Sequence, residues 1–352
     1  MAAPPLDDPS AYAIGDPRRF GELIRGFAGQ VADASRFADG VRLDGGPPRA
    51  VAVLGMGGSA VAGDLIAALA HGTAPFPIAV IRGYTVPAWV DADTLVVGSS
   101  YSGQTEETLA AFEAARARGA RALVVTSGGE LGTRAERQGL PRVRVPAGFP
   151  PRAALAFLLM PLLVLLDRLG AGVGGAAERD EAVRLLTALG AELAPEVPTA
   201  ENPAKALASA LAGRVPVVYG SELSAPVAYR WRTQLEENAK VLAVSGALPE
   251  MNHNALEAWG GDPLLAPWAA VVLRDAAEHP RVARRATLTR EILAGRAPVH
   301  EVWARGASPL ARLLSLVLHG DWVSYYVAIL RGVDPWAVDG LEAFKRRMAE
   351  AR

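Results

Sequence analysis

The chain has 352 residues, with 36 Lys+Arg against 37 Asp+Glu, and is 51% apolar and 21% charged. That composition describes a folded protein of about two domains, and its near-neutral charge excludes the basic surface that duplex nucleic acid needs. The absence of cysteine excludes disulfides, thiolate nucleophiles and sulfur-liganded zinc, and five histidines scattered along the sequence argue against a metal cluster.

The first eight residues lack the basic start and apolar core of an export signal. The most apolar stretch, Ala153 to Leu166, is interrupted by Pro161 and is shorter than the about 20 residues a bilayer crossing needs. It reads as a buried or subunit-interface helix, no membrane partner is expected, and the expected location is cytoplasmic. Asp16-Pro17 reads as an N-cap followed by proline at the first helical position. Phe20, Leu23, Ile24, Phe27 and Val31 continue at helical spacing, predicting one amphipathic lead-in helix within residues 1–45.

From residue 46 a regular alternation begins. Strands are predicted at Ala50–Leu54, Ile78–Ile81, Thr94–Val97, Ala122–Val125 and Arg142–Val145, with helices at Ala60–Ala70 and from Thr105 to Arg118. Strands alternating with helices predict a parallel sheet covered on both faces. The run Gly170 to Gly175 marks a boundary between residues 46–170 and 171–352. Beyond it, helices near Glu178–Leu193, Pro203–Leu211, Ala225–Lys240 and Leu310–Leu330 accompany strands at Val215–Tyr219, Ala269–Leu273 and Val299–Trp303. The fold class is therefore α/β, with two domains of similar plan and the cleft between them as the expected site.

Two turns are built for an anion. Gly55-Met56-Gly57-Gly58-Ser59-Ala60 joins the first strand to its helix, where glycines gather backbone N–H groups at a positive helix end. It also satisfies G-x-G-x-x-A, the dinucleotide pattern, but the second strand ends in Arg82 where that pattern expects an acid. One alternative is thus an NADP-dependent dehydrogenase with Arg82 on the 2′-phosphate. Ser99-Ser100-Tyr101-Ser102-Gly103-Gln104-Thr105 follows the third strand and offers hydroxyls and free helix N–H groups to a phosphomonoester. A simpler role for Ser102 or Thr105 is to cap the helix.

Together the two turns resemble the SIS (sugar isomerase) domain, which binds phosphosugars. Asn202-Pro203-Ala204-Lys205, Glu237-Asn238-Ala239-Lys240 and Pro249-Glu250-Met251-Asn252-His253-Asn254 narrow the resemblance to the bifunctional phosphoglucose/phosphomannose isomerases, from about residue 20 onward. Ala255 departs from that pattern, which often carries an acid after His-Asn. The resemblance implies two SIS domains, a homodimer, no cofactor and no metal. It implies isomerisation of glucose 6-phosphate and mannose 6-phosphate to fructose 6-phosphate through a cis-enediolate. It also implies that Gly57, Gly58, Ser59, Ser100, Ser102 and Thr105 hold the phosphate. Glu237 would move the proton, His253 would open the ring from the partner subunit, Arg152 would stabilise the oxyanion, and Lys345 would reach the sugar hydroxyls or ring oxygen.

Elementary chemistry agrees with several of these roles. An anion near a helix C-terminus, such as Glu237, is disfavoured, which suits a base that takes and returns a proton. Glu236 has Lys240 four residues on and reads as a surface pair. His253 precedes a capping-box-like start at Asn254, where an imidazolium is disfavoured and the ring stays neutral. Arg152 sits on a stiff turn after Pro150-Pro151. A second alternative is a non-catalytic phosphosugar-binding regulator on the same fold. Against it stand the lack of a helix-turn-helix unit and the Glu237/His253 pair, which a sensor does not need.

Overall fold

The computed structural model describes residues 6–261 and 267–350; residues 1–5, part of the stretch read for an export signal, lie outside the described residues. The lead-in is three helices rather than one: α1 (Pro9–Gly15), α2 (Phe20–Arg25) and α3 (Phe27–Ala34). Asp16 does not cap a helix starting at Pro17. Its carboxylate reaches forward to accept from the amides of Phe20 (2.7 Å) and Gly21 (2.8 Å), while Arg19 between them turns left-handed at φ 58°. Phe20, Ile24, Phe27 and Val31 are buried as their spacing predicts.

The first sheet comprises β1 (Ala50–Leu54), β2 (Ile78–Ile81), β3 (Thr94–Ser99), β4 (Arg121–Thr126) and β5 (Arg142–Arg144), all parallel in the order β2-β1-β3-β4-β5. Its helices are α4 (Gly57–Ala70), α5 (Glu106–Ala117), α6 (Gly129–Arg137) and α7 (Leu155–Arg168). Then come α8 (Ala176–Glu192) and α9 (Pro203–Leu211). The second sheet comprises β6 (Val215–Ser221), β7 (Val244–Leu248), β8 (Trp268–Arg274) and β9 (Val299–Trp303), parallel in the order β7-β6-β8-β9. With it go α10 (Ala225–Ala239), α11 (Ala255–Gly261), α12 (Pro280–Leu293), α13 (Pro309–Arg331) and α14 (Asp339–Glu350). Edge strand β7 escapes sequence patterning. It holds Ser245 and Gly246 in place of branched residues, and the Tyr219 ring occupies the space a Cβ at 246 would need.

Successive strand residues point to opposite faces. On β1, Val51 and Val53 enter the central core while Ala52 and Leu54 pack outward on Phe112 of α5 and Leu131 of α6. On β8, Val271 and Leu273 face the same central core, and Ala270 and Val272 meet Val282 and Ala286 of α12. The core therefore lies between the two sheets, filled by α4, α7, α10 and α13. Every residue from Leu155 to Leu166 is buried within the single chain, so α7 is a core helix and not a subunit interface. Helix α13 has the length and composition to cross a bilayer, but 94% of its most apolar window is buried inside the protein.

Gly320 of α13 lies under the Trp231 indole of α10, leaving no space for a Cβ. Gly320→Ala should lower stability by about 1–3 kcal/mol through overpacking, read as a lower urea midpoint. Gly190→Ala, in α8 with open space around the position, should raise stability by about 0.5–1 kcal/mol.

Candidate active site

Because β1 and β3 are parallel neighbours, the turns at their carboxyl ends meet at one sheet edge. Gly57 opens α4 with φ 50°, and Gly58 packs so closely on the next turn that a Cβ there would lie 3.0 Å from the Pro151 carbonyl oxygen. The Tyr101 amide donates to Ser59 Oγ (3.2 Å), tying the two turns together. Ser100 Oγ accepts from the Gly103 amide (3.1 Å) and shares a hydrogen bond with Thr105 Oγ1 (2.9 Å). Ser102 is exposed, and its Oγ accepts from the Gln104 amide at 3.3 Å. Thr105 occupies the N-cap position of α5 without a side-chain capping bond, and Met56 does the same for α4. Two positive helix ends without side-chain caps thus lie side by side, an arrangement suited to an anion.

Beside them, Pro151–Ala153 forms a single 3-10 turn that carries Arg152, 3% exposed. Its Nε donates to Asn238 Oδ1 (2.6 Å), and its Nη2 donates to the carbonyls of Pro335 and Trp336 (3.2 Å to the latter). The Phe20 ring lies under the guanidinium, 5.1 Å from its centre. Nη1 faces the carboxylate of Glu237 at 3.5 Å, and that carboxylate is still 29% exposed. Burial pulls the Arg152 guanidinium down from its ordinary value, with Glu237 opposing and Arg230 adding to the fall; an arginine remains a cation regardless.

Glu237 sits in the last turn of α10, as its position predicts. The expected Glu236–Lys240 pair does not form. Lys240 leaves the helix at φ 57° and donates to the carbonyls of Glu237 (2.6 Å), Asp334 (3.1 Å) and Ala337 (2.6 Å), while Glu236 pairs with Arg232 at 3.3 Å. His253 is exposed on the 3-10 turn Glu250–His253 after β7, and Lys345 is exposed on α14. Among the described residues neither shares a hydrogen bond or ion pair with Arg152 or Glu237. Asn254 precedes α11 as expected, but its side chain accepts from the adjacent Ala255 amide (2.6 Å) rather than closing a capping box. Arg82 is engaged by Asp64 and stacks on Tyr229. Among the described residues no three His, Cys, Asp or Glu side chains gather as a metal site.

Sequence reading missed the layer behind Arg152. Arg230, Gln234 and Asn238 recur every four residues on α10 and are all buried, a polar stripe on a core-facing side. Arg230 Nη2 bonds both carboxylate oxygens of Asp321 on α13 (2.9 and 2.8 Å) and also the backbone carbonyl of Arg152 (3.1 Å). The Asn202-Lys205 motif lies elsewhere: Asn202 caps α9, and buried Lys205 donates to Leu6 and Pro195 carbonyls at 2.8 Å and to Asp7 at 3.1 Å.

Residues 200–348 match the family model of the bacterial phospho-glucose isomerase C-terminal SIS domain. The chain is 37% identical over 305 residues to a bifunctional phosphoglucose/phosphomannose isomerase of Caldicellulosiruptor bescii, covering 86% of this chain and 90% of that protein. It is 37% identical over 305 residues to the protein so named in Aquifex aeolicus, covering 86% and 91%. Among solved structures it resembles a glucose-6-phosphate isomerase like protein from Thermus thermophilus, with TM-score 0.62 and 26% identity over 98% of this chain and 99% of that one.

Burial raises the Glu236 carboxyl above its ordinary value, with Arg232 opposing. An acid that holds its proton more tightly when folded weakens the fold as it ionises, so its cost is absent at low pH and complete above the folded value. Glu236→Gln should therefore match wild type in urea midpoint below the ordinary glutamate value of 4.5 and exceed it at neutral pH.

Proposed function

The chain belongs to the bifunctional phosphoglucose/phosphomannose isomerase family, and we propose that it interconverts glucose 6-phosphate and mannose 6-phosphate with fructose 6-phosphate. As a member of that family it is a sugar-phosphate isomerase. One adjacency carries the finer reading: Arg152, 3.5 Å from Glu237 of α10, stands on a turn packed directly against the glycine turn of α4.

The phosphate is held by Gly57, Gly58, Ser59, Ser100, Ser102 and Thr105 at the two helix ends. Glu237 takes the C2 proton of the open-chain aldose. The C2–H electrons form the C1–C2 double bond, and charge moves onto O1 beside the guanidinium of Arg152. A proton passes from O2 to O1, and Glu237 returns its own proton to C1, leaving the ketose. The step is redox-neutral within one substrate, so it consumes no external hydride acceptor. Losing the C2 proton erases the stereocentre that separates the glucose and mannose esters, so both reach one cis-enediolate.

His253 opens the ring by moving a proton between O5 and O1, and is supplied across a homodimer. Its exposure and lack of any bond to Glu237 within one chain support that placement. Helix α14 presents Leu341, Phe344 and Met348 to solvent, an apolar face that suits a second copy; in this reading the exposed Lys345 of the same helix reaches the sugar hydroxyls or ring oxygen.

Glu237→Gln keeps shape and hydrogen bonding but removes the base. It should cut kcat by about a hundred- to ten-thousand-fold, leave KM within a few-fold and abolish solvent deuterium uptake at C2. Retention of more than about a tenth of kcat would assign the proton to another group. Mixing inactive His253→Ala and Glu237→Gln chains should restore about a quarter of full activity, since random exchange makes about half the dimers mixed, each with one intact site. No recovery after demonstrated subunit exchange would place His253 in its own chain's site or outside it.

A further inference from the structure

Resting on that isomerase reading, we propose that Asn238, held by Ser324, and the Arg230–Asp321 ion pair are positioning residues that aim the guanidinium of Arg152 at the reacting oxygens. A guanidinium has five N–H donors. Here Asn238 takes Nε, the 335–336 carbonyls take Nη2, and Phe20 covers a face. The edge without a close partner is Nη1, whose neighbour Glu237 stands at 3.5 Å, beyond the usual 2.7–3.2 Å of a good hydrogen bond. Nη1 is thus the edge left for a substrate oxygen.

The aim is over-determined. Ser324 Oγ donates to the Asp321 carbonyl (2.9 Å), so toward Asn238 it must accept, from Nδ2 at 3.0 Å. The amide of Asn238 is therefore fixed with its nitrogen on Ser324 and its oxygen on Arg152. Being neutral, it satisfies Nε without setting a second carboxylate beside the Glu237 that already faces the cation at 3.5 Å. The backbone of Arg152 is pinned separately: its carbonyl accepts from Arg230 (3.1 Å), and Arg230 is clamped by Asp321, which also accepts from Gln234 (2.8 Å). Asn238 adjoins Glu237 on α10, so one rigid element carries both the base and the group that orients the cation.

The test compares one substitution in two backgrounds, with fructose 6-phosphate as substrate. Asn238→Ala should lower kcat by about ten- to a hundred-fold, the size expected of a misplacement near 1 Å, with KM within about three-fold. In an Arg152→Ala background the same change should cost less than about two-fold, because its effect runs through Arg152. Equal losses in both backgrounds, or a rise in KM with kcat intact, would overturn the assignment. Ser324→Ala, which frees the Asn238 amide and gives up the bond to the Asp321 carbonyl in its own helix, should show the same pattern more weakly and serves if Asn238→Ala does not fold. An activity-free measurement separates this from the isomerase reading. The Arg152 Nε–H resonance, assigned by its loss in Arg152→Lys, should be protected from water exchange in wild type and lose that protection in either variant. Inactivity of wild type on every hexose 6-phosphate would sink the isomerase reading alone, and unchanged protection in the variants would sink the positioning.

Discussion

A charged guanidinium withdrawn from water between two sheets sets the terms for the centre of this protein. Removing such an ion from solvent costs several kcal/mol unless its donors are bonded, and no single element can bond them all. Arg152 draws on α2 for a ring face, on α10 for an amide oxygen and on the 335–336 loop for carbonyls. The lead-in segment takes its shape from the same demand. Asp16 fixes the Phe20 and Gly21 amides and accepts from Tyr325 of α13 (3.0 Å), which seats Phe20 beneath the guanidinium. Trp336 meets Phe20 edge-on at 6.1 Å, and Arg18 both covers Trp336 and pairs with Asp334 at 2.7 Å. The first and last parts of the described chain thus close over one cation.

Of the three lysines in a chain otherwise dependent on arginine, two do similar structural work. Lys205 and Lys240 each gather backbone carbonyls from segments distant in sequence, Lys205 joining residues 6 and 195 and Lys240 joining the end of α10 to residues 334 and 337. A compact ammonium with three donors suits a cluster of carbonyls converging from different directions, where a planar fork would not fit. By holding the 334–337 loop, Lys240 also keeps in place the carbonyls that receive Arg152.

What could be read from the sequence follows from which forces are local. Strands such as Ala50–Leu54 and the Ala269–Leu273 stretch of β8 are legible because short apolar runs lie between turn residues. The two turns after β1 and β3 are legible because glycine and hydroxyl residues there serve backbone needs at their own positions. The lead-in helix is misread because Asp16 spends its carboxylate on residues four and five ahead to serve a tertiary contact. The Glu236–Lys240 pair is misread because four-residue spacing means adjacency only while both residues stay helical, and Lys240 has already turned left-handed. Glu237 and Arg152 stand out by residue type and setting. Their support does not, because Asp321 and Ser324 join it from α13, 91 and 86 residues along the chain from their partners Arg230 and Asn238.

The two sheets share a plan yet differ in what their carboxyl edges offer. From the end of β1 the chain turns at Gly55-Met56-Gly57 into α4, and from the last residues of β6 it turns through Gly220 to Ser224 into α10. Gly57 at φ 50° and Glu222 at φ 44° hold the same place in these turns. The central strands β1 and β6 are flanked in the same order, by β2 and β3 or by β7 and β8. In the first sheet the edge ends in glycines, hydroxyls and helix ends without side-chain caps. In the second, Arg274 at the end of β8 bonds Glu278 (2.6 Å) and Glu301, and Ser221 donates to Glu278 at 3.4 Å. The second edge carries its own carboxylate against its own donors, so its positive groups are already satisfied from within. Similar backbone turns therefore do not make equivalent edges: the first leaves two helix ends without side-chain caps, and the second half reaches the Arg152 turn through the face of α10 that carries Glu237 and Asn238.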